Sequence, residues 1–419
     1  WYNGCLLPCS NRDLTGYAPN SNCLPVRRNS TFKNMTNSGK AYITGTSAFL
    51  PNAPVGNEAI ENVLGMIAGK PSRARRIVLR NNGIRERYYA LDPATGQITH
   101  TNAQLTAEAI RRLQANEEID CLVTGTSTPD QLMPNHGVMV HGELGIPACE
   151  VVSTAGICVA GVTALKYAYM AVLCGSAKTA VATGSELVSP LLQARNFAAE
   201  SEHRVAELEA NPEIAFEKDF LRWMLSDGAG AFLVQDTPRR NGLSLRIDWI
   251  DILSQADSME VCMLAGGEKQ ADGSLKGWQA FPATEWASHS LFAIKQDVRL
   301  LNENVAYQTV GKSLIKAMTM RGLTPAAVEW FLPHISSEYF RVPTADCMAA
   351  VGFPVAQEKW FTNLHTKGNT GSASIYIMIN ELLKSGRLKS GDRLLCFIPE
   401  SGRFTGSLIY LTAVDHAGE

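Results

Sequence analysis

Apolar residues along the chain fall into short runs, some with the alternation of a strand and others with the longer spacing of a helix. The strand-like runs are residues 121–124, 179–183, 231–235, 245–252, 330–332, 394–398 and 408–411. The helix-like runs are residues 103–114, 159–174, 310–320 and 372–383. Strands that alternate with helices are typical of layered proteins in which helices cover a sheet. The pattern therefore predicts an α/β fold.

Two segments interrupt this pattern. The first 34 residues are rich in Asn, Ser and Pro, contain one acidic residue and show no periodicity. We expect residues 1–41 to be a disordered extension, or a start-site artefact if Met35 is the true first residue, and not a secretory signal. The second segment is 189–224, where charged residues and apolar residues at helical intervals predict one or two amphipathic helices. One interpretation is a solvated surface insertion. The other is a functional segment, either a cap over the acyl pocket or part of the dimer contact.

The composition excludes several classes of function. With 419 residues, of which 45% are hydrophobic, the chain can bury a large core, and ordinary domain sizes imply two domains. A formal net charge of −2 gives no attraction for nucleic acid or an anionic membrane. Ten scattered cysteines indicate a reducing compartment, so we expect a cytoplasmic protein. The apolar run 159–174 contains Lys166 and is too short to span a bilayer. His136 and His141 lack partners at ligand spacing, so we expect no metal and no cofactor.

Candidate chemistry begins at Cys158, which ends the segment Ser-Thr-Ala-Gly-Ile-Cys at 153–158, directly before the predicted buried helix. At a helix N-terminus, unpaired N–H groups and the positive end of the dipole favour the thiolate, which is the form that attacks carbon. A single free cysteine is more often a small core hydrophobe. Cys158 alone therefore does not establish a site.

Two later polar residues change that balance. His334 follows the apolar strand 330–332, and Asn369 lies in the turn Lys-Gly-Asn-Thr-Gly just before the small-residue helix 372–383. Taken alone, a histidine after a strand is usually structural, and an asparagine before a helix is normally a cap. A helix-capped cysteine, a strand-end histidine and a turn asparagine, in this order, together form a catalytic set for thioester chemistry.

These residues resemble the β-ketoacyl-acyl-carrier-protein synthase III family of the thiolase superfamily, from about residue 42 to residue 411. Residues 41–51, Ala-Tyr-Ile-Thr-Gly-Thr-Ser-Ala-Phe-Leu-Pro, look like its opening strand and turn. Residues 83–87 are similar to its Gly-Ile-x-x-Arg element, and Leu-Ser-Asp-Gly-Ala-Gly-Ala at 225–231 is similar to its Gly-Asp-Gly-Ala-Gly-Ala turn. By position, Cys158 matches the family's acylated nucleophile, His334 its histidine and Asn369 its asparagine.

The resemblance implies a thiolase-like layered αβαβα fold of two pseudo-symmetric halves. We place the N-terminal half, with the nucleophile, at 42–236 and the C-terminal half, with the histidine and asparagine, at 237–415. Three Thr-Gly sequences, at 44–47, 124–127 and 183–185, each follow an apolar run. We interpret them as repeated strand-to-turn units.

The implied chemistry is a ping-pong ketosynthase reaction. Cys158 takes an acyl group from a carrier thioester, and the enolate of a second thioester then attacks it. His334 and Asn369 would donate hydrogen bonds to the enolate oxygen, and the N–H groups of Cys158 and of the turn at Gly402 would hold the acyl carbonyl oxygen. The family usually has a run of glycines where this chain has Glu-Ser-Gly at 400–402, so Glu400 brings a carboxylate near the pocket.

The acyl donor is predicted to be an acyl carrier protein thioester. Family members that use acetyl-coenzyme A commonly have a tryptophan just before the Gly-Ile-x-x-Arg element, where this chain has Ile-Val-Leu at 77–79. Coenzyme A thioesters are the alternative donors. A basic cluster is either a surface for an acidic carrier or simply a solvated face. Its members are Lys70, Arg73, Arg75, Arg76 and Arg80.

The turn 399–403, the nucleophile segment and the charged insertion look most like one branch of the family. Its ketosynthase–cyclases join two acyl chains into a cyclohexanedione, the precursor of dialkylresorcinols and bacterial stilbenes. A β-ketoacyl thioester supplies the carbanion and an α,β-unsaturated acyl group is the electrophile, so one condensation and one conjugate addition close the ring. Where decarboxylation does not generate the carbanion, a base is needed. The candidates by position, each of which also has a structural interpretation, are Glu150, Glu186 and Glu400.

Other functions stay open at this point. One alternative is a chain-initiating or chain-extending synthase that uses a malonyl-carrier, and another is a catalytically silent partner subunit, against which the intact Cys158, His334 and Asn369 argue. An acyltransferase to oxygen or nitrogen typically lacks the asparagine, and fold alone decides none of these questions. Apolar strands beside the nucleophile, such as 179–183, resemble the family's dimer edge. We therefore expect a homodimer, or a heterodimer with a close relative.

Overall fold

Strands and helices alternate in the structure, a computed structural model that describes residues 39–72, 75–115, 117–197 and 220–416. The strands are β1 (Tyr42–Phe49), β2 (Val55–Gly56), β3 (Glu86–Arg87), β4 (Cys121–Thr126), β5 (Glu150–Ala155), β6 (Thr179–Glu186), β7 (Gly228–Gln235), β8 (Ser244–Ser254), β9 (Met263–Leu264), β10 (Gly267–Lys269), β11 (Leu275–Gly277), β12 (Lys295–Gln296), β13 (Trp330–Pro333), β14 (Arg393–Glu400) and β15 (Thr405–Val414). The helices are α1 (Ile60–Leu64), α2 (Arg75–Asn82), α3 (Asn102–Arg111), α4 (His136–Leu144), α5 (Ala160–Leu173), α6 (Val298–Val305), α7 (Lys312–Arg321), α8 (Arg341–Ala350), α9 (Leu364–Lys367) and α10 (Ser374–Lys384). The α/β prediction is confirmed.

Nine strands share one mixed sheet in the order β13-β14-β15-β8-β1-β7-β6-β4-β5. From one end, β5 is parallel to β4 and β4 to β6, while β6, β7 and β1 are antiparallel in turn. From the other end, β13 is parallel to β14, and β14, β15 and β8 are antiparallel in turn. Beside β13, Phe331 forms a parallel bridge with Trp360. This bridge has the position next to β13 that β5 has next to β4 at the other end of the sheet. The same succession of strand directions therefore occurs twice in the sheet.

The edge of the sheet differs from our expectation. We assigned the dimer edge to strands such as 179–183, but β6 lies inside the sheet between β4 and β7. The described edge beside the nucleophile is instead β5, whose six residues are all partly or fully exposed. Apolar patterning missed β5 because its sequence, Glu-Val-Val-Ser-Thr-Ala, mixes polar and apolar residues without a continuous apolar run.

The Thr-Gly sequences are not strand-to-turn units, as we predicted, but lie within β1, β4 and β6. In the sheet, Gly125 pairs with Gly184 and Gly184 pairs with Gly230, so three glycines form a row across neighbouring strands. A Cβ at Gly125 would overlap the Ala160 carbonyl, and one at Gly184 would overlap the Ser372 carbonyl. The glycines thus let the beginnings of α5 and α10 approach the sheet closely.

Helices α5 and α10 form the centre of the main apolar core. Both contribute buried residues to one cluster with strands from the two ends of the sheet. Tyr376 of α10 donates a hydrogen bond to the Gly161 carbonyl of α5 at 2.7 Å, which joins the two helices. Because each helix begins next to a predicted catalytic residue, this packing fixes the two beginnings relative to each other.

Parts of the sequence predictions fall outside the described residues. These parts are the extension up to residue 38, with Met35, and residues 198–219 of the insertion. The two ends of the insertion are described, and Leu221, Trp223 and Met224 are buried there. Among the described residues, no helix is long and apolar enough to cross a membrane, and no group of His, Cys, Asp and Glu could hold a metal ion.

Candidate active site

Cys158 lies in a tight turn between the end of β5 and the start of α5. The helix begins two residues later, at Ala160, as the sequence predicted. Thr154 of β5 donates a hydrogen bond to the Ala160 carbonyl at 2.8 Å, which ties the strand to the helix across the turn. A Cβ at Gly156 would lie 3.3 Å from the Glu400 carboxylate, so glycine leaves room for that group. The turn is therefore held from both sides.

The electrostatics of Cys158 are opposite to the sequence prediction. Burial raises the pKa of the Cys158 thiol well above its usual range, and the carboxylates of Glu400 and Glu186 raise this pKa further. The N–H groups of Ile157 and Val159, which we expected to favour the thiolate, donate to Glu400 at 2.9 and 3.1 Å. The surroundings of Cys158 therefore favour the protonated thiol, and not the thiolate that we predicted.

His334 lies directly after β13, as predicted, and its side chain is buried. Its backbone N–H donates to the Phe397 carbonyl of β14 at 2.8 Å, which extends the sheet by one residue and fixes the histidine at the strand end. Burial lowers the pKa of His334 to about 4. At neutral pH the imidazole is therefore uncharged and carries one N–H donor.

Asn369 is held on both sides by backbone hydrogen bonds. Its N–H donates to the Met224 carbonyl, and its own carbonyl accepts from Ser226, each at 2.9 Å. Its side-chain oxygen accepts a hydrogen bond from the Gly371 N–H at 3.0 Å. This bond orients the amide and leaves its NH₂ group as a donor. The side chain of Asn369 can therefore cap the following turn with its oxygen and donate into the site with its nitrogen.

The turn predicted to supply an oxyanion donor is the hairpin tip between β14 and β15. Glu400 ends β14, and residues 401–404 form the tip. A Cβ at Gly402 would lie 3.2 Å from the Ile157 side chain, so the tip packs directly on the nucleophile turn. The Gly402 carbonyl accepts from the Cys262 N–H at 2.8 Å, which ties the hairpin tip to the segment that precedes β9.

The three candidate bases lie in different places. Glu150 is exposed at the start of β5, at the end remote from Cys158, and accepts a hydrogen bond from Tyr167. Glu186 is buried at the end of β6, where Ser127, Thr128 and the Ser372 N–H donate to its carboxylate. Burial raises the pKa of Glu186. Glu400 holds the nucleophile turn, so two of the three carboxylates lie near Cys158.

One apolar cavity brings the predicted catalytic residues together. It contains about 890 Å³ of empty space, part of it open to solvent. Cys158, His334, Asn369 and Glu186 all line it. Most of the remaining lining is aliphatic, as an acyl chain requires. The aliphatic and aromatic lining residues are Ile157, Val188, Leu221, Met224, Leu225, Met263, Ile294, Leu301, Val305, Ala306, Ile335, Phe340 and Phe397.

Sequence reasoning missed one side of this cavity. Met263 and Ile294 come from the irregular segment between β8 and α6, and Ala306 and Thr309 come from a π-helix, Ala306–Gly311, that joins α6 to α7. Gln296 donates to the Ser401 hydroxyl of the hairpin tip at 2.8 Å and also lines the cavity. Short π-helices are frequent at functional sites, but nothing in the apolar spacing of 298–321 indicated one.

The basic cluster predicted to bind a carrier protein is only partly exposed. Arg73 lies outside the described residues. Arg75 of α2 forms ion pairs with Glu58 at 2.6 Å and Glu61 at 3.2 Å, so it has a structural role. The exposed members are Lys70, Arg76 and Arg80.

The nearby Gly-Ile-x-x-Arg element is structural. Arg87 is buried and donates to the Trp223 carbonyl at 2.6 Å and to the Asn57 side chain. The element therefore connects β3 to the end of the 189–224 insertion, whose Leu221 and Met224 line the cavity.

The two histidines considered as metal ligands have other roles. His136 is buried, and its Nε2 lies 3.2 Å from the hydroxyls of Thr106 and Ser185. His141 lies 3.1 Å from the Pro147 carbonyl. All three contacts are with uncharged oxygens, which fits a structural role for both histidines.

Comparison with known proteins gives a family match in the C-terminal part. Residues 318–410 match the family described as 3-Oxoacyl-[acyl-carrier-protein (ACP)] synthase III C terminal. Over 362 residues, the chain is 25% identical to β-ketoacyl-[acyl-carrier-protein] synthase III 1 of Deinococcus radiodurans, covering 85% of this chain and 89% of that protein. Over 370 residues, it is 25% identical to the β-ketoacyl-[acyl-carrier-protein] synthase III of a Bradyrhizobium species, covering 88% and 98%.

Solved structures share the fold. AbyA1, described as a tetronic acid condensing enzyme, has a TM-score of 0.66 at 20% identity, covering 89% of this chain and 99% of that chain. The 3-oxoacyl-(acyl carrier protein) synthase III FabH of Pseudomonas aeruginosa has a TM-score of 0.64 at 18% identity, covering 89% and 98%. A cysteine-to-serine variant of OleA from Xanthomonas campestris, with bound lauric acid and lauroyl-CoA, has a TM-score of 0.63 at 19% identity, covering 89% and 99%. These likenesses confirm the thiolase-like fold.

The C-terminal family match contains His334 and Asn369, and the curated relatives align over most of both chains. The chain is thus similar over most of its length to 3-oxoacyl-acyl-carrier-protein synthase III enzymes, and its residues 318–410 match the C-terminal part of that family.

Proposed function

We propose that the protein is a ketosynthase that condenses two acyl thioesters through an acyl-Cys158 intermediate, and that its product is a cyclohexanedione ring. The observation that carries the proposal is the convergence of Cys158, His334 and Asn369, from three distant segments, on one apolar cavity. A thiol nucleophile, two neutral hydrogen-bond donors and an aliphatic wall are the groups that acyl transfer and condensation require.

In the transfer step, the Cys158 sulfur forms a bond to the thioester carbonyl carbon, and the bond from that carbon to the carrier sulfur breaks. Because the resting residue is a thiol, its proton has to leave as the sulfur attacks, and the departing carrier thiolate takes up one proton. The N–H groups of Cys158 and Gly402 hold the negative oxygen of the tetrahedral intermediate. The result is an acyl-enzyme and a free carrier thiol.

In the condensation step, the α-carbon of the second thioester attacks the acyl group on Cys158. Its enolate oxygen accepts hydrogen bonds from the imidazole of His334 and the amide of Asn369. The low pKa of His334 suits this role, since a neutral imidazole donates a hydrogen bond without carrying a permanent charge into the apolar cavity. The new carbon–carbon bond expels the Cys158 thiolate, which takes up a proton and returns to the resting thiol.

The ring-forming version needs a base, and Glu186 is the candidate that lines the cavity. A β-ketoacyl thioester has an acidic α-carbon between two carbonyls, so a carboxylate whose pKa is raised by burial can accept its proton. One condensation with an α,β-unsaturated acyl group and one conjugate addition then close the ring. The resemblance of the segments 153–158 and 399–403 to ring-forming ketosynthase–cyclases supports this product.

A chain-initiating synthase that uses a malonyl-carrier is the second candidate. The relatives in Deinococcus and Bradyrhizobium are β-ketoacyl-[acyl-carrier-protein] synthases III, which favours it, and decarboxylation of malonyl would remove the need for a base. A silent partner subunit is the third candidate, and the cavity with all three polar residues argues against it.

The deciding experiment is intact-protein mass spectrometry followed by product analysis. The protein is first incubated with saturated and α,β-unsaturated acyl thioesters, on an acyl carrier protein and on coenzyme A, and the added mass is measured. Malonyl or β-ketoacyl thioester is then added in separate reactions. A cyclic dione formed from the unsaturated acyl and β-ketoacyl pair supports ring formation, and a linear β-ketoacyl product formed only with malonyl selects the second candidate. Absence of any added mass supports a silent subunit.

We propose that an acidic carrier protein docks on α2 beside the exposed residues Arg76 and Arg80. Charge reversal of both should weaken loading from carrier thioesters and leave loading from a small thioester analogue without a carrier unchanged. The difference should shrink at high salt, because exposed charges are screened there. Charge reversal of Lys389, which is exposed after α10, is the matched control.

We also propose a two-fold dimer through the exposed edge strand β5, in place of the strand we first assigned. An exposed strand edge offers a row of backbone donors and acceptors that an identical edge can pair with. Light scattering of the purified protein should give twice the 45.5 kDa chain mass. A fully active monomer would contradict the dimer, and a proline at Val152 in the middle of β5 should dissociate it.

A further inference from the structure

Glu400 is the carboxylate with the most direct contact to the nucleophile turn. Its Oε2 accepts hydrogen bonds from the N–H of Ile157 at 2.9 Å and from the N–H of Val159 at 3.1 Å, the residues on either side of Cys158. Helix α5 has no side-chain cap from its own segment. A carboxylate from a distant hairpin therefore caps the N-terminus of α5 in place of a local capping residue.

The position of Glu400 also argues against a role as a base on the substrate. The cavity wall over the described residues includes Pro399 and Ser401, its chain neighbours, but not Glu400 itself. Its side chain points to the back of the nucleophile turn, where one of its oxygens is engaged by two backbone donors. Glu186, in contrast, lines the cavity.

We propose that Glu400 is a positioning residue that joins the hairpin tip to the nucleophile turn and keeps Cys158 in its protonated form until an acyl donor arrives. The inference rests on the proposed role of Cys158 as the nucleophile. It concerns the geometry of the turn and the protonation of the Cys158 thiol, neither of which the proposed reaction specifies.

The first consequence is geometric. The N–H groups proposed to hold the acyl oxyanion belong to Cys158 and Gly402, which lie on two separate loops. Glu400 is two residues from Gly402 and bonds to both chain neighbours of Cys158, so it fixes the distance between the two donors. Oxyanion donors act only when they are placed in advance, so loss of this connection should slow acyl transfer.

The second consequence is electrostatic. The carboxylate occupies the positive end of α5, where a thiolate would otherwise be stabilised. The titratable groups that face Cys158 are Glu400 on the hairpin, Glu186 at the end of β6 and His334 after β13. His334 is uncharged above about pH 5, because its pKa is lowered to about 4 by burial. The two carboxylates therefore disfavour the thiolate near neutral pH. A thiol is less open than a thiolate to oxidation and to attack on the wrong electrophile.

The test compares Glu400→Gln with Glu400→Ala in the full-length protein. Glutamine keeps an oxygen that can accept from both N–H groups but removes the charge, whereas alanine removes both. The pH dependence of Cys158 alkylation by iodoacetamide, an uncharged reagent, is measured by peptide mass spectrometry. Cys174, exposed at the far end of α5, serves as the internal reference in the same samples. Acyl loading is measured separately at pH 7.

We expect the alkylation midpoint of Cys158 to fall by about one pH unit or more in both variants, because a neighbouring negative charge is removed, while that of Cys174 stays unchanged. At pH 7, loading should not fall below the wild-type rate in Glu400→Gln, which keeps the contacts, and should fall by roughly tenfold in Glu400→Ala. This pattern separates charge from position, and a structural residue without influence on the thiol would not shift the midpoint.

An unchanged midpoint in Glu400→Gln, or wild-type loading in Glu400→Ala, would overturn the proposal. If Glu400→Ala does not fold, the midpoint in Glu400→Gln still decides. If the wild-type protein is never acylated, the proposed function fails, whereas the alkylation profile continues to test the role of Glu400.

Discussion

The two sides of the cavity are built in different ways. The proposed catalytic floor, consisting of Cys158, His334 and Asn369, comes from short loops at the ends of β5 and β13 and before α10, elements that pack in the main core. The opposite wall, which is mostly apolar and consists of Met263, Ile294, Leu301, Ala306 and Thr309, comes from the short strand β9, a loop, α6 and a π-helix outside the central sheet. A rigid floor can preserve one chemistry while the wall varies in shape, so we expect the floor to decide the reaction and the wall to decide the acyl chain.

The largest effect should come from removal of the nucleophile in the floor. Cys158→Ala should abolish covalent acyl loading, because no other group described in the cavity wall is a thiol. Intact-protein mass spectrometry gives the result, and Cys174→Ala, at the exposed end of the same helix, is the matched control with normal loading. Acyl groups that persist in Cys158→Ala, or that map to Cys149, would contradict the assignment of the floor.

The next effect should separate the two half-reactions. His334→Ala and Asn369→Ala should still load Cys158, since the transfer oxyanion is held by backbone N–H groups, but they should lose condensation by about 100-fold or more, as expected for removal of one oxyanion donor. Loading is followed by mass, and condensation is followed by product formation. Normal turnover in both variants would place the condensation site elsewhere.

The same contrast explains what could be predicted from the sequence. The floor was predictable because each residue lies in a contiguous motif at the end of a strand or the start of a helix, where local sequence fixes local structure. The acid–base state of Cys158 was not predictable, since it depends on Glu400, which is distant along the chain but bonds to the turn. The only signal in the sequence was Glu400, a carboxylate in the segment 400–402 where the family usually has glycines.

The wall and the sheet edge lacked even such a signal. Met263 and Ile294 reach the cavity through tertiary packing of irregular segments, which no periodicity describes. Strand β5 has no continuous apolar run, and the glycines of β4 and β6 suggested turns although they serve close helix packing. Sequence patterns therefore predicted the elements with buried faces and failed where a contact between distant segments decides the structure.

A smaller effect should come from filling the wall. Ala306→Leu adds bulk on the cavity side of the π-helix, so loading of long acyl chains should fall by about tenfold while that of short chains stays close to wild type. Loading rates for an acyl series of increasing length are the measurement. Asn302→Leu, the same residue type introduced at an exposed position of α6, is the control. An equal loss for all chain lengths would mean that this position supports the floor and not the selectivity of the wall.

The last prediction concerns the pH dependence of stability, and it has the smallest effect on turnover near neutral pH. Burial lowers the pKa of His334 in the floor and of His136 in the core to about 4, from an ordinary value near 6.5. Between pH 6.5 and pH 4, the unfolded chain therefore binds more protons than the folded chain. The free energy of unfolding should be highest above pH 6.5 and decrease as the pH falls toward 4. Each histidine contributes at most about 3 kcal/mol. Chemical denaturation of His334→Asn and His136→Asn should each show part of this pH dependence removed. If only His136→Asn changes the slope, His334 is more open to solvent and ions than the rigid floor implies.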